Sequence, residues 1–278
     1  MRKLQTIVAM IGVLLLLSFT AGAQEGQAPG RSDAQPHYGP ASALGDGTVR
    51  TYLIANKSGK PVELGVAISD VAMATVPDLS KKPPNESFLA IDLAFPEGVP
   101  APYKHMGFFW RPTGHPPVHI YGVPHFEFHF YMIDAATRNA ILPGEGEGPS
   151  ETGAFTKGPF AERASRSPAV GYLPATYAYS PGSAVPMMGG HWIDRQSHEF
   201  HGQPFDRTLV YGTWDGRVIF IQPMITRTFI ESKPKGTYEI PWTKKVPVPG
   251  WYPHAYTVKY VTEAKEYRIG LVGFARRQ

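Results

Sequence analysis

Residues 123–131 read VPHFEFHFY and alternate without a break. His125, Glu127 and His129 stand at every second position, with Phe126, Phe128 and Phe130 between them. A period of two is that of a β-strand, whose successive side chains leave on opposite faces. The stretch therefore predicts a strand with one face of imidazoles and a carboxylate and one face of phenyl rings. Burial of a Phe side chain contributes about 1.5–3 kcal/mol, so the phenyl face is expected to be the buried one.

Shorter pieces of the same kind recur along the chain. Residues 49–54 and 62–68 are β-rich runs joined by Asn56-Lys-Ser-Gly-Lys-Pro61, which has the composition of a hairpin turn. Residues 87–95 form a further strand candidate, and 118–133 read as a strand region interrupted at Gly122 and Pro124. Residues 208–211 and 218–222 flank Trp214-Asp-Gly216, a hairpin turn because Asp-Gly accepts positive φ. Residues 256–261 and 267–272 make a last hairpin. Short helices are expected after Ser69 or Asp70 and after Asp134, each capped by its own side chain. Residues 144–158 form a polar, Gly-rich loop. No long helix emerges, and 28 prolines and 29 glycines divide the chain into short elements. The expected fold is mainly β: one β-rich α+β domain over residues 48–278, barrel- or sandwich-like, with a few short helices.

The start of the chain differs. Arg2 and Lys3 precede an apolar run over 7–19, and Ala21-Gly-Ala23 has the small-residue pattern of a cleavage site. This predicts a signal peptide over 1–23, cleaved after Ala23, and a secreted or periplasmic location. The apolar run is short against the roughly 20 residues a bilayer requires, so no stable membrane insertion is expected after cleavage. Residues 24–47, rich in Gly, Pro, Ala and Gln, read as a flexible leader. Loss of Arg2 and Lys3 leaves 25 of the 27 Lys and Arg residues against 23 Asp and Glu, a formal charge of +2. So balanced a charge argues against a nucleic-acid partner. There are no cysteines, which excludes disulfide staples and thiolate chemistry. Nor does the chain carry a nucleophile elbow around Ser183 or Ser197, or a phosphate-binding Gly loop.

Chemistry is therefore sought among the ten histidines, five of which fall within residues 105–129. Imidazole and carboxylate together bind zinc, copper, iron or nickel. His125 and His129 lie about 13 Å apart at Cα on an ideal strand, too far for one undistorted ion. A His-Glu pair from the strand joined by loop histidines fits better. His115 precedes Pro116-Pro117, and His191 follows Gly189-Gly190. The candidate metal ligands are His125, Glu127, His129, His191 and His115, with Asp194 and Glu199 supporting them. Zinc is the first candidate ion. The same residues could instead form a metal-free hydrogen-bonded network or an acid–base pair.

Five words occur in order: Gly114-His-Pro-Pro117, Pro124-His-Phe-Glu-Phe-His-Phe-Tyr131, Gly190-His-Trp-Ile-Asp194, Tyr211-Gly-Thr-Trp-Asp-Gly216 and Gln222-Pro-Met-Ile-Thr-Arg227. As a set, spanning about residues 48–230, they resemble a family of exported bacterial proteins of unknown function that includes a sigma-E-regulated protein of Thermus. Family members usually carry Asp where Glu127 stands here, so this chain keeps the charge on a side chain one methylene longer. The resemblance implies a secreted, β-rich fold that self-associates into a homo-oligomer, and it brings no established activity. Three functional expectations stand together: a metal- or small-ligand-binding envelope protein, a cupin-like metalloenzyme, and a structural self-assembling protein.

Overall fold

Antiparallel pairing of the alternating segments builds two seven-stranded sheets and a small two-stranded one. The computed structural model describes residues 35–83, 86–150 and 155–278. The chain enters through β1 (His37–Tyr38), β2 (Ser42–Leu44), β3 (Gly47–Ala55) and β4 (Pro61–Ser69). Ser69 then caps α1 (Asp70–Thr75), its hydroxyl accepting from the Ala72 amide. β5 (Leu89–Ala94) and β6 (His105–Arg111) lead to α2 (Val118–Tyr121), β7 (His125–Tyr131), α3 (Ala135–Asn139) and α4 (Pro159–Ser165). Asp134 caps α3 through the Thr137 amide. β8 (Tyr177–Tyr179), β9 (Gly190–Asp194), β10 (Arg207–Trp214) and β11 (Arg217–Thr226) follow, with a single 3-10 turn at His198–Phe200. The β10–β11 hairpin turns at Asp215 and Gly216, whose φ values are 51° and 75°. The chain ends through α5 (Arg227–Glu231), β12 (Gly236–Glu239), β13 (Gly250–Tyr252), β14 (Ala255–Val261), β15 (Glu266–Val272) and β16 (Ala275–Arg277).

The first sheet runs β1-β3-β4-β15-β14-β12, with β2 also on β3, and the second runs β5-β6-β7-β11-β10-β9-β8. Leu53, Leu64 and Val66 from the first sheet share one core with Phe108, Phe126, Phe128, Phe130 and Ile221 from the second. The expected barrel or sandwich is thus a sandwich, and the phenyl face of β7 lies in its interior. Phe128 is 0% exposed and meets Phe108 and Phe126 at ring-centroid distances of 5.8 and 6.2 Å.

Three expectations need correction. The His face of β7 is buried as well, because a second apolar layer covers the outer side of that sheet. Phe109, Tyr131, Phe160, Met188 and Phe220 belong to this layer. Residues 118–121 are helical rather than extended. After Pro117 the chain closes a turn in which the Tyr121 amide donates to the Pro117 carbonyl, and Tyr121 packs between Phe200 and Phe205. Finally, residues 35–47 are no flexible leader. Ser42–Leu44 pairs with β3, Asp46 N donates to Thr75 Oγ1, and Leu44 is 1% exposed. One well-placed leucine and a row of backbone hydrogen bonds outweigh an otherwise loop-like composition. The expected signal peptide and residues 24–34 of the expected leader lie outside the described residues.

Truncating Phe128 to Ala should cost about 3–5 kcal/mol, and Leu44 to Ala about 2–5 kcal/mol, in denaturant unfolding with unchanged m. A Leu44→Ala cost below about 1 kcal/mol would place residues 42–44 outside the core after all.

Candidate metal centre

The outer face of the second sheet is assembled from cross-strand pairs, since paired residues share a face. Arg111 pairs with His125, Phe109 with Glu127, and Gly107 with His129 across β6 and β7. On the other flank, Thr226 pairs with His125 and Met224 with Glu127 across β11 and β7. One row further, His191 pairs with Gly212, Gly212 with Phe220, and Phe220 with Tyr131. Gly212 leaves room in this row. A Cβ there would stand 2.0 Å from the Phe220 ring, which itself stacks on His129 with ring centroids 4.6 Å apart. His115 arrives from the loop between β6 and α2. That loop closes through Gly114 (φ 69°), where a Cβ would stand 1.9 Å from the Tyr121 carbonyl oxygen.

Glu127 is the centre of the cluster. Its Oε1 lies 3.4 Å from His115 Nε2 and 3.5 Å from His125 Nε2, and its Oε2 lies 3.5 Å from His129 Nε2. Arg111 Nε donates to Oε1 at 3.0 Å, and its guanidinium lies over the Phe88 ring. Burial pushes the Glu127 carboxyl up, and the charge of Arg111 works against it. The net effect holds the group well below the usual carboxylate range.

The far sides of the rings fix their tautomers. His115 Nδ1 faces the Pro116 carbonyl at 2.7 Å, His125 Nδ1 the Val123 carbonyl at 2.8 Å, and His191 Nδ1 the Ser183 carbonyl at 2.8 Å. A carbonyl oxygen only accepts, so each Nδ1 carries the proton and donates it. Burial lowers the His115 and His191 pKa values to about 4, and it lowers that of His129 as well. His115 and His191 are therefore neutral at pH 7, with a bare lone pair at Nε2. In His115 that lone pair points at a carboxylate oxygen. The Nε2 atoms of His125 and His129 are buried without a hydrogen-bond partner.

Elsewhere the same protein shows a self-satisfied buried carboxylate. Glu63 accepts from Tyr52 Oη at 2.5 Å and Lys259 Nζ at 2.6 Å. Glu266 accepts from Arg50, Arg268 and Tyr38 at 2.7–2.9 Å. The three imidazole contacts of Glu127 are all longer than hydrogen bonds of about 2.7–3.2 Å. They match the edge of a tetrahedron around an ion with bonds of about 2.0–2.1 Å, which is about 3.3–3.4 Å.

Among the described residues, His115, His125 and Glu127 form the one group whose ligand atoms all lie within 4.8 Å of one another and could hold a metal ion. Their rings also agree: His115 and His125 centroids are 4.9 Å apart. His129 touches the other carboxylate oxygen but stands outside this group. His191 flanks His129, ring centroids 6.3 Å apart. The two residues expected to support the ligands sit elsewhere. Asp194 is three residues beyond His191 on the same strand, an odd spacing that turns it to the opposite face, where it accepts from the Gln196 amide. Glu199 is one residue removed: it accepts from Tyr121 Oη at 3.1 Å, and Tyr121 packs on His115. Arg111 and Gln222 are the residues that spacing alone does not disclose. Gln222 heads the word Gln222-Pro-Met-Ile-Thr-Arg227, which is the nearest thing to a signal.

Fold and site together define a β-sandwich protein with a buried histidine–carboxylate centre on one sheet. No protein-family model, curated protein or solved structure matches the chain.

His105, stacked on Tyr131, also has its pKa lowered to about 4 by burial. A depressed histidine pKa means that the unfolded chain binds more protons than the folded one below about pH 6.5. Stability should therefore be full above about pH 6.5 and fall progressively towards pH 4. Chemical denaturation at pH 7.5, 6 and 5 reads this, and a constant unfolding free energy over the range would contradict it.

Proposed function

We propose that this is an exported protein that binds a divalent transition-metal ion, zinc first, through His115, His125 and Glu127. The observation that carries the reading is the pair of 3.4 and 3.5 Å contacts between imidazole Nε2 atoms and one carboxylate oxygen. Both rings already spend their Nδ1 protons on backbone carbonyls. A carbonyl that accepts the Nδ1 proton in this way fixes the orientation of a histidine whose Nε2 binds an ion. Without a cation, the lone pair of His115 faces a carboxylate oxygen at close range. An ion between them turns that opposition into coordination. Two imidazoles and a carboxylate suit zinc and its neighbours, and three protein ligands leave a fourth position for water or a small ligand. His115, with 29% of its side chain exposed, gives that position a route to solvent. This favours an exchangeable site over a sealed structural ion.

The cupin-like enzyme reading gains little. The second sheet, which carries the site, joins two runs of sequence-adjacent strands, β5-β6-β7 and β11-β10-β9-β8, through a single crossover from β7 to β11, whereas a cupin jelly roll is built from two Greek keys. A purely structural network has one observation in its favour, the Arg111–Glu127 pair, which supplies positive charge without an ion. Export through a signal peptide over 1–23, and self-association into a homo-oligomer, belong to the same proposal. They follow from the basic-apolar-AGA start and from the family resemblance respectively. No helix among the described residues is long and apolar enough to cross a membrane.

Protein purified without a histidine tag should carry zinc by elemental analysis, and chelator should lower its melting temperature. His115→Ala lies on a loop and should fold, yet lose the ion held with His125 and Glu127. Binding should weaken towards about pH 4, where a competing proton occupies His115. Wild-type protein that holds no metal and ignores both chelator and added zinc would leave only the Arg111–Glu127 network. For export, mass spectrometry of the secreted fraction should find an N-terminus at Gln24; an intact Met1 on membrane-held protein would refute cleavage.

A further inference from the structure

Glu127 has two oxygens, and the ion proposed above uses only one. The other, Oε2, points to His129 Nε2 at 3.5 Å, the same spacing as on the Oε1 side. That nitrogen is buried and has no hydrogen-bond partner among the described residues, and the His129 side chain is 0% exposed. Its Nδ1 meets Tyr131 Oη at 3.4 Å, and Tyr131 gives its own proton to the Met187 carbonyl, so no backbone carbonyl holds the His129 Nδ1 proton. His129 Nε2 faces Oε2 as His115 and His125 Nε2 face Oε1.

Gln222 completes the argument. The β7–β11 register pairs Ile221 with Phe130 and Met224 with Glu127, which sets Gln222 opposite His129 on the shared face. The residue is 2% exposed, and its Oε1 also lacks a hydrogen-bond partner. A buried amide oxygen with nothing to accept costs about 1–3 kcal/mol. Two unpartnered buried donor atoms and a carboxylate oxygen thus meet on one side of Glu127. His191 stands at the edge of this space with its Nδ1 committed to Ser183. Its ring lies 6.3 Å from that of His129, against 4.9 Å for the His115–His125 pair.

We infer that Glu127 bridges two divalent cations: one on Oε1 with His115 and His125, and a second on Oε2 with His129 and Gln222 Oε1, capped by His191. His129 lies outside the group of ligand atoms around the first ion, and among the described residues it forms no such group with Glu127 and His191, so Gln222 is needed to complete the second position. The wider His129–His191 spacing, ring centroids 6.3 Å apart, places His191 as the outermost ligand, linked through water. Ions bridged in this way sit about 3.5–4 Å apart, the separation used by two-metal hydrolytic sites. The inference rests on the metal reading above and adds a stoichiometry to it.

The test is a count of ions per chain with zinc and cobalt(II) as probes, by native mass spectrometry and isothermal titration, together with electron paramagnetic resonance of the cobalt form. Wild-type protein should bind two ions, and the cobalt pair should show magnetic coupling. Gln222→Leu and His191→Ala keep the strand core and should each hold one ion, with the coupling lost. His115→Ala should also hold one. His129→Ala is fully buried and is informative only if its circular dichroism is native. One ion per chain, lost in His115→Ala and kept in Gln222→Leu and His191→Ala, would overturn the bridge and leave the single-ion reading intact. Two ions unaffected by Gln222→Leu and His191→Ala would place the second ion elsewhere and also overturn it. No ion at all would end both readings.

Discussion

A carboxylate held out of water in the middle of a sheet is the constraint around which the rest of this structure is arranged. Glu127 lies on β7 with strands on both sides and an apolar layer above it. Burying an ionised carboxyl is costly unless charge and hydrogen-bonding groups meet it there. Arg111 answers part of that demand from the neighbouring strand. The His115 and His125 rings offer Oε1 no proton, because each keeps its own on a backbone carbonyl, so a cation between them would complete the answer. The contrast with Glu63 and Glu266, which are met by donors at ordinary hydrogen-bond distance, makes the geometry around Glu127 specific rather than generic for this protein.

Strand β7 belongs to two structures at once. Its phenyl rings fill the space between the sheets, and its polar residues build the site. Side chains pinned in a close-packed core cannot easily shift, so the phenyl face holds the backbone under the site in place. His125, Glu127, His129, Gln222 and His191 all stand on strands. His115 alone comes from a loop, and 29% of its side chain is exposed. An ion could thus enter by movement of residues 114–124 while the sheet stays intact, and its binding free energy would add to the stability of the fold.

The period-two pattern of residues 125–131 was enough to establish a strand, the division of its faces and the presence of a chemically loaded side. The same reasoning found the β3–β4, β10–β11 and β14–β15 hairpins and the caps of α1 and α3. These features are local: they depend on alternation, turn residues and side chains within three positions of the backbone they satisfy. Residues 42–44 escaped because a short strand of three residues carries almost no period, and its reward is a single buried leucine. Residues 118–121 escaped because a turn closed by Tyr121 looks like β-rich sequence until its packing partners Phe200 and Phe205 are known.

The residue types of the site, and the side of the strand they occupy, were determined by the sequence itself, because the alternation of one strand is written in consecutive positions. Which histidines reach which carboxylate oxygen was decided only by the tertiary structure. His115 comes from a loop turned by Gly114, His191 from a strand three places across the sheet, and Arg111 and Gln222 from the two strands flanking β7. Their approach depends on cross-strand register, on the space left by Gly212 and on the carbonyls that hold each Nδ1 proton. None of these is a property of spacing along the chain. All of them arise when distant segments share one sheet, and there a displacement of a few tenths of an ångström separates a hydrogen bond from a coordination edge.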